Sequence, residues 1–351
     1  MNDPEFIEID GSIGEGGGQI LRTAITFSSI LNIPVKVENI RSNRPNPGLK
    51  AQHMGTVKLL ADMCGANVEN LEIGAKWLKF NPTGTFQSSL KLEIGTAGSI
   101  PLILSAIVPA ASLNGVGCDL EIIGGTDVKW SPTIDYFQFV VLPAFRSIGI
   151  HCSLDIIRRG YYPNGGGIIR LYVKPSTKLM PMYMVSKKSS PISALSVCSN
   201  LPRNIAERQL RSALNYLSAQ NVSCNESVID IANAVSPGSS IILYSVSRER
   251  SFVGADMIGE RSKSAENVGI QVAKLFLKEY LSEAPIDMHL GDILVIPLFQ
   301  ADGESNFRVS TITPHLRTNL HVASLMTGRK YSFDSNKDGT TTVTIKSHDI
   351  D

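Results

Sequence analysis

His315 has the local setting best suited to covalent chemistry in this sequence. It follows Thr313 and Pro314 and precedes an apolar stripe that runs to Gly328. Threonine is a good N-cap, proline fits the first helical position and glycine often closes a helix, so the pattern predicts a helix with His315 in its first turn. The positive end of a helix disfavours an imidazolium and attracts phosphate, which favours a neutral, nucleophilic imidazole beside a nucleotide. One turn later, Asn319 could contact that phosphate or orient the ring, although a capping or surface histidine without chemistry is the more common outcome of such a setting.

The second candidate is a glycine-rich turn at residues 14–18. It lacks the GK[ST] ending of a Walker A loop and the spacing of a dinucleotide fingerprint, so neither nucleotide motif applies. The turn allows a ligand to approach the backbone closely. It also offers a carboxylate for a hard cation at Glu15 and, one turn into the next helix, a guanidinium for phosphate at Arg22. A tight turn that binds no ligand is the alternative.

A proline-stiffened loop carries two arginines, Arg41 and Arg44, just beyond a short strand. Guanidinium groups held in this way suit bidentate contacts with phosphate, and Gln52 and His53 follow on a new helix. Charges that are simply solvated on a loop are the usual alternative.

Flat side chains follow the strand that ends at residues 124–127. Pro132 opens a helix that bears Tyr136, and a proline and an aromatic face can sandwich a base. Aromatic content alone favours a core position for them.

The charge balance limits how the protein can bind nucleic acid. The chain has 351 residues and a formal charge of +1, from 33 Lys+Arg against 32 Asp+Glu. Contacts with nucleic acid must therefore rest on local basic patches, which favours recognition of an end over coating of a strand.

Cysteine usage and the absence of long apolar segments indicate the compartment. The 5 cysteines are scattered and never in a CxxC spacing, which argues against a disulfide framework and a zinc knuckle. The acidic start has no apolar run of signal-peptide length, and no segment approaches the roughly 20 apolar residues of a membrane span. We expect a cytoplasmic protein that does not enter a membrane.

The elements that must position these residues follow a recurring pattern. Residues 7–31, 90–104 and 288–297 each read as a strand, a glycine-containing turn and an apolar helix. Between Pro175 and about Pro285 the pattern changes, and it then resumes. The sequence therefore predicts repeated α+β modules interrupted by an inserted domain.

Taken together, the motifs resemble those of the RNA 3'-terminal phosphate cyclase family, from about Ile9 to about Ile345. They occur in the family's order and spacing, and they are GEGGGQILR (14–22), IRSNRPNPGLKAQH (40–53), IGTAGSIPLIL (94–104), GGTD (124–127), RRGYYPNGGG (158–167) and HLRTN (315–319). The resemblance implies an α+β (α/β) fold of three repeated units, each a four-stranded sheet with two helices, plus a small inserted α/β domain. It places the first two units in 1–182, the insert in 183–283 and the third unit in 284–351.

The same resemblance implies an ATP-consuming, ligase-type nucleotidyl transfer. His315 attacks the α-phosphate of ATP and expels pyrophosphate, which gives a histidine-AMP phosphoramidate. AMP then passes to the 3'-phosphate of an RNA, and the neighbouring 2'-hydroxyl closes a 2',3'-cyclic phosphate and releases AMP. The implied requirements are ATP as cosubstrate, a divalent metal (Mg or Mn) and an RNA with a 3'-phosphate end, and a homodimer is compatible with the sequence.

Matching positions extend the resemblance to individual residues. Glu15 matches a metal-contacting glutamate. The family's phosphate and RNA-end contacts match Arg22, Arg41, Arg44 and His53, and its ATP or AMP contacts match Pro132, Tyr136, Asp292, Asn319 and Gln52. The chain departs from the family pattern at two places: His289 stands where bacterial members commonly have a tyrosine against adenine, and Ser105 replaces a glutamine.

Two other functions compete with this interpretation. A cyclase-like protein without catalysis, acting as a binding factor in ribosomal RNA maturation, would resemble the family but lack the nucleophilic histidine. An enolpyruvyl transferase would share repeated units, but no added match to that family's motifs is present. His315 favours the enzyme.

Overall fold

A computed structural model describes residues 5–188, 190–247 and 251–348. The acidic start of the chain therefore lies partly outside the described residues. Helices and mixed sheets alternate along the chain, which confirms the predicted α+β class. The predicted domain boundaries stay predictions.

The first sheet brings the glycine-rich turn and the arginine loop to neighbouring places. Its elements are β1 (Ile7–Asp10), α1 (Gly18–Leu31), β2 (Val35–Glu38), α2 (Ala51–Cys64), β3 (Asn67–Glu69) and β4 (Leu78–Asn81). The strand order is β1-β2-β4-β3, with β1 parallel to β2 and the other neighbours antiparallel. The glycine-rich turn joins β1 to α1, and the arginine loop joins β2 to α2.

The second sheet has the same strand order and the same pattern of pairing. Its elements are β5 (Ser89–Glu93), α3 (Ile100–Leu113), β6 (Cys118–Gly124), α4 (Ile134–Tyr136), a π-helical turn (Phe137–Val141), α5 (Leu142–Ser147), β7 (Cys152–Arg158) and β8 (Gly167–Val173). The order is β5-β6-β8-β7, and only β5 and β6 are parallel. Ser99 caps α3, because its hydroxyl accepts a hydrogen bond from the Leu102 amide at 3.3 Å.

A third sheet follows the short strand β9 (Tyr183–Met184) and is connected differently. Its elements are β10 (Ser193–Ser199), α6 (Asn204–Ala219), β11 (Glu226–Ile231), β12 (Gly238–Ser247), β13 (Ser251–Ile258) and α7 (Ala265–Tyr280). The order is β11-β10-β12-β13. Apolar residues between Ile192 and Leu277 form a hydrophobic cluster of their own here, next to a larger one that joins the other sheets.

The last sheet supplies the helix that carries His315. Its elements are α8 (Met288–Phe299), β14 (Ser305–Val309), α9 (Pro314–Thr327), β15 (Tyr331–Ser335) and β16 (Thr341–Ile345). The order is β15-β16-β14-β9, with β9 and β14 parallel. Helix α9 packs against α1 and α8, so the three segments that carry the candidate residues meet.

The prediction of a strand and a turn at residues 288–292 was wrong. Helix α8 already begins at Met288, because the carboxylate of Asp287 accepts hydrogen bonds from the amides of His289 (3.0 Å) and Leu290 (2.9 Å). Gly291 is a packing residue, not a turn residue: a Cβ at this position would lie 2.8 Å from Cγ1 of Val309.

Candidate active site

The predicted start of the His315 helix is confirmed. The hydroxyl of Thr313 accepts a hydrogen bond from the Leu316 amide at 2.8 Å, Pro314 is the first helical residue, and Gly328 closes the helix in the left-handed conformation. His315 therefore lies in the first turn of α9, where the free amides of the helix favour an anion. Its side chain is 42% exposed, so a ligand can reach it.

His315 meets the glycine-rich turn and the arginine loop at one carboxylate. Its Nε2 lies 3.0 Å from Oε2 of Glu15, and Nη2 of Arg44 lies 3.0 Å from the same oxygen. We call these residues the His315 cluster. Oε1 of Glu15 takes part in neither contact, so this oxygen can face a cation. Residues predicted separately from distant motifs thus form one site.

Asn43 holds the glycine-rich turn in place. Its side-chain amide donates to the carbonyls of Ser12 (2.9 Å) and Gly14 (3.5 Å). Gly14 and Gly16 have φ of 60° and 55°, a conformation that favours glycine. Asn43 was not among the predicted site residues; its only signal in the sequence is its position between the two loop arginines.

We expect Gly14→Ala to cost more stability than the matched change Gly74→Ala. Both positions have positive φ, so each substitution should cost about 1 kcal/mol of strain. A Cβ at position 14 would also lie 2.5 Å from Oγ1 of Thr318, whereas position 74 is open. Urea unfolding should show an excess cost for Gly14→Ala that Thr318→Ala relieves. Equal costs for the two glycine substitutions would contradict the close approach.

The electrostatic surroundings keep His315 neutral. Burial lowers its pKa below the usual 6.5, and the charges of Arg22 and Arg44 act in the same direction, while the Glu15 carboxylate opposes them. The lowering contributions prevail, so the imidazole retains its lone pair at neutral pH. This is the protonation state that a nucleophile requires.

Arg22 is a half-buried cation whose guanidinium has no protein partner among the described residues. Burial lowers its pKa to about 10, and within the described ranges the structure shows no ion pair or hydrogen bond of its guanidinium. Its charge lowers the pKa of both His315 and His53, so it lies near both histidines. An unpaired guanidinium is costly to bury, so this position is suited to an anionic ligand.

His53 is closely packed, and its imidazole is neutral. Its ring is 6% exposed, and Nδ1 accepts a hydrogen bond from the Lys50 amide at 3.2 Å. Burial, Arg22 and Arg41 lower its pKa to about 3. The ring fits because position 18 is glycine: a Cβ there would lie 2.1 Å from Nε2 of His53.

Because the folded protein keeps His53 neutral, we expect this residue to make the stability of the fold sensitive to acid. The folded protein resists protonation of His53 down to about pH 3, whereas the unfolded chain takes up the proton near pH 6.5. The contribution of neutral His53 to the free energy of unfolding is therefore fully present above pH 6.5, and it is lost as pH falls toward 3. When the pH is lowered from 7.5 to 5, the free energy of unfolding measured in urea should fall by about 2 kcal/mol more in the wild type than in His53→Gln. Parallel pH profiles of the two proteins would contradict the pKa assignment.

Asn319 and Asp292 join the helices at the base of the site. Nδ2 of Asn319 donates to the Asp292 carbonyl at 3.0 Å, and its Oδ1 accepts from the Thr23 hydroxyl at 3.1 Å. The Thr313 hydroxyl donates to the carboxylate of Asp292. Burial raises the pKa of Asp292 to about 7. Both residues therefore fix α9 against α1 and α8, and the contact of Thr23 was not foreseen.

Two other predicted residues lie at the edge of the site. Nη1 of Arg41 donates to the carbonyls of Asn46 (2.6 Å) and Gly48 (3.0 Å), so this nitrogen shapes the loop itself. Gln52 lies in the first turn of α2, and its Cβ is 3.2 Å from where a Cβ of Gly98 would stand. The ligand contacts of Arg41 and Gln52 stay predictions.

The residues predicted to hold a base converge on Asp287. The Tyr136 hydroxyl donates to Oδ1 of Asp287 at 2.7 Å, and the amide of His289 donates to the same oxygen at 3.0 Å. Tyr136 is only 1% exposed, and burial raises its pKa well above the usual value. His289 is exposed, one turn before Asp292 on α8. Its contact with a base stays a prediction, as does that of Tyr136.

The predicted start of the helix that carries Tyr136 was wrong by two residues. The helix begins at Ile134, because the Thr133 hydroxyl accepts from the Tyr136 amide at 3.2 Å. Pro132 therefore precedes the cap, and the Thr133 amide donates to the carboxylate of Asp256. A partly exposed Pro132 can still offer its flat face to a base.

Glu15 offers one carboxylate oxygen to a divalent cation. In the part of the chain that the structure describes, no group of three or more His, Cys, Asp or Glu side chains is arranged to hold a metal. Mg²⁺ often takes one carboxylate and completes its shell with phosphate oxygens and water. The available Oε1 of Glu15 fits such a site.

Comparisons with known proteins agree in one family. A family model described as RNA 3'-terminal phosphate cyclase matches residues 13–333. The RNA 3'-terminal phosphate cyclase of Archaeoglobus fulgidus is 38% identical over 332 residues, which cover 95% of this chain and 99% of the relative. Those of Methanopyrus kandleri (40%, covering 90% and 92%) and Pyrococcus furiosus (39%, covering 93% and 94%) are similar as well.

One solved structure is distantly similar. The enolpyruvyl transferase NikO from Streptomyces tendae covers 99% of this chain and 83% of its own at 11% identity. Its TM-score of 0.26 is too low to support an argument about fold or function. Among the described residues, no helix is long and apolar enough to cross a membrane.

Proposed function

The chain belongs to the RNA 3'-terminal phosphate cyclase family, and we propose on this premise that it uses ATP to cyclise RNA 3'-phosphates through a covalent histidine-AMP intermediate. The observation that carries the mechanism is the setting of His315: a neutral imidazole in the first turn of a helix, 3.0 Å from Glu15. Neutrality gives a lone pair for attack, and the helix start favours the phosphate that is attacked.

The proposed reaction has three steps. His315 forms a phosphorus–nitrogen bond to the α-phosphate of ATP while the bond to pyrophosphate breaks. The RNA 3'-phosphate then takes AMP from the histidine and becomes an activated phosphoanhydride. Finally the adjacent 2'-hydroxyl attacks the 3'-phosphorus, loses its proton and expels AMP, so that ATP cleavage drives closure of a strained ring.

Positive charge around His315 supports each of these steps. Nucleotidyl transfer depends mainly on neutralising phosphate oxygens, and Arg22 and Arg44 lie beside the nucleophile. Arg22 has no partner to leave among the described residues, whereas Arg44 must exchange part of its contact with Glu15 for the ligand. Arg41 and His53 complete the proposed RNA-end site, where His53 acts as a neutral hydrogen-bonding group.

Glu15 is the proposed ligand of a divalent metal, Mg or Mn. Bound there with phosphate oxygens, the ion would neutralise charge on the nucleotide. Glu15 also orients His315 through the 3.0 Å contact with its ring.

The remaining proposed contacts belong to the nucleotide. The base would lie near Pro132, Tyr136 and His289, which the structure groups around Asp287 and Asp256. Because Tyr136 is buried, Pro132 and His289 offer the accessible faces, and His289 replaces the tyrosine that bacterial members commonly have. Asp292, Asn319 and Gln52 would also contact the nucleotide.

We also propose that three of the four sheets are repeated units. The sheets that contain β1, β5 and β9 share one strand order and one pattern of pairing, and the sheet that contains β10 differs and interrupts the third. The five cysteines are free, which fits a reducing cytoplasm. A homodimer stays a prediction.

A product assay tests the proposed function. A 3'-phosphorylated RNA incubated with ATP and Mg²⁺ should gain an end that resists phosphatase and opens in acid to a mixture of 2'- and 3'-phosphates. A 3'-hydroxyl RNA serves as the control and should not change. An unchanged 3'-phosphate under ATP with either Mg²⁺ or Mn²⁺ would support the non-catalytic alternative.

A further inference from the structure

The most exposed large hydrophobic side chain in the described part of the chain is Trp130. It is 95% exposed, compared with 40% for Trp77, the other tryptophan of the chain. A bare indole on the surface loses the stabilisation that burial would give, so the fold itself gives no reason for its exposure.

The backbone at Trp130 is also unusual. Its φ is 60°, a left-handed conformation that bulky residues rarely adopt and that glycine would adopt without strain. The turn is nevertheless fixed on both sides of the ring. The Ser131 hydroxyl donates to the Val128 carbonyl at 3.0 Å, and Nζ of Lys129 pairs with Oε2 of Glu260 at 2.5 Å. The fixed turn therefore presents the ring to solvent at the cost of backbone strain.

A chain of contacts connects Trp130 with His315. Thr133, three residues later, donates its amide to Asp256. Burial raises the pKa of Asp256, and His289 is near enough to offset part of this rise. From His289, helix α8 leads to Asp292, which binds the cap of the His315 helix. Trp130 is thus two residues before Pro132 of the proposed base pocket.

Positive charge accompanies the ring. Nζ of Lys129 lies 6.0 Å from the centroid of the Trp130 indole, and Lys263 contacts the same Glu260 carboxylate at 3.0 Å. A flat aromatic face beside cations is the arrangement with which proteins bind single-stranded RNA: the base stacks and the backbone phosphate meets the cation.

We propose that Trp130 is a stacking platform for a base of the RNA strand, upstream of the 3'-terminal nucleotide. This inference rests on the proposed function, since it places the strand whose end reaches His315. The terminal phosphate would then be held by the arginines, while the indole binds the strand without regard to sequence, because every base has a π-face. Trp130 would act on binding of the RNA and not on transfer of AMP to His315.

Tryptophan fluorescence tests the proposal directly. In a Trp77→Phe background, Trp130 is the sole tryptophan, and a short single-stranded RNA with a 3'-phosphate should quench its emission without ATP. ATP alone should leave the emission unchanged. Failure of RNA to quench, or equal quenching by ATP, would overturn the assignment to an RNA base. The fluorescence readout needs no catalysis. Its outcome is therefore independent of whether the cyclisation assay succeeds or fails.

Steady-state kinetics separate stacking from a structural role. Trp130→Gly should raise KM for RNA about 10-fold, with labelling of the protein by ATP unchanged. Its unfolding midpoint should stay equal or rise, because glycine relieves the positive φ. Trp130→Phe should recover part of the affinity, and Tyr183→Ala, which removes another exposed aromatic ring, should behave as wild type. An unchanged KM in Trp130→Gly would overturn the proposal.

Discussion

His315→Ala is expected to abolish cyclisation, with a loss in kcat/KM of at least about 10³-fold. The proposed route passes through a covalent bond to this ring, and no other described residue offers a neutral imidazole in the first turn of a helix beside Glu15. The fold should persist, because the side chain is 42% exposed and a contact at such exposure stabilises little. The rate of cyclic-end formation and the urea midpoint are the measurements.

The control for this variant is His321→Ala, six residues further along the same helix. It should keep full activity, because the structure gives His321 no contact with the His315 cluster. Equal losses in the two variants would indicate damage to α9, and full activity in His315→Ala would remove the nucleophile from the mechanism.

Arg22→Met is expected to lower cyclisation by at least about 10²-fold and to make the protein more stable. Arg22 is half-buried and has no partner among the described residues, so a methionine of similar length removes a desolvation cost of about 1 kcal/mol. The same change removes the cation that the phosphate meets. Activity and stability should therefore move in opposite directions, which a mere folding defect cannot produce.

A second readout of Arg22→Met is the pH dependence of its residual activity. Arg22 lowers the pKa of His315, so its removal should raise that pKa. The neutral imidazole would then take up a proton at a higher pH. The acid limb of the pH–rate profile should therefore shift to a higher pH than in the wild type. An acid limb at the same pH would contradict the proximity of the two side chains.

Arg329→Met supplies the matched comparison, because Arg329 is buried with its donors used. Nη1 donates to the carbonyls of Phe299 (2.9 Å) and Ala301 (2.8 Å), Nη2 to that of Gly303 (2.6 Å) and Nε to that of Lys346 (2.7 Å). Arg329→Met leaves these carbonyls without their hydrogen-bond donors, and it should lower the free energy of unfolding by more than about 3 kcal/mol. If both arginine variants lose stability alike, Arg22 has a partner in solution, and its proposed role as the anion site fails.

Local sequence signals predicted one part of the site well. The start of α9 depended on Thr313, Pro314 and a closing Gly328, and each occupies its expected place. Capping is a short-range effect, so a few neighbouring residues determine it. The same logic failed at Gly291, where a tertiary contact with Val309 and a cap at Asp287 outweighed the usual meaning of glycine.

Long-range contacts could not be predicted from spacing. Glu15 and His315 lie at opposite ends of the chain, and their meeting depends on the packing of α1 against α9. The sequence also gave no sign that Arg22 would be left unpaired or that Tyr136 would be buried against Asp287. These features depend on the burial and charge of a folded site, which only the assembled elements define.

Covalent labelling of the protein is the most direct test of the central claim. Wild-type protein incubated with α-labelled ATP and Mg²⁺, without RNA, should acquire label that acid removes and alkali does not, as a phosphoramidate requires. His315→Ala should acquire none, and addition of 3'-phosphorylated RNA should discharge the label from the wild type. Equal labelling of the two proteins, or cyclisation by a wild type that never becomes labelled, would contradict the role of His315.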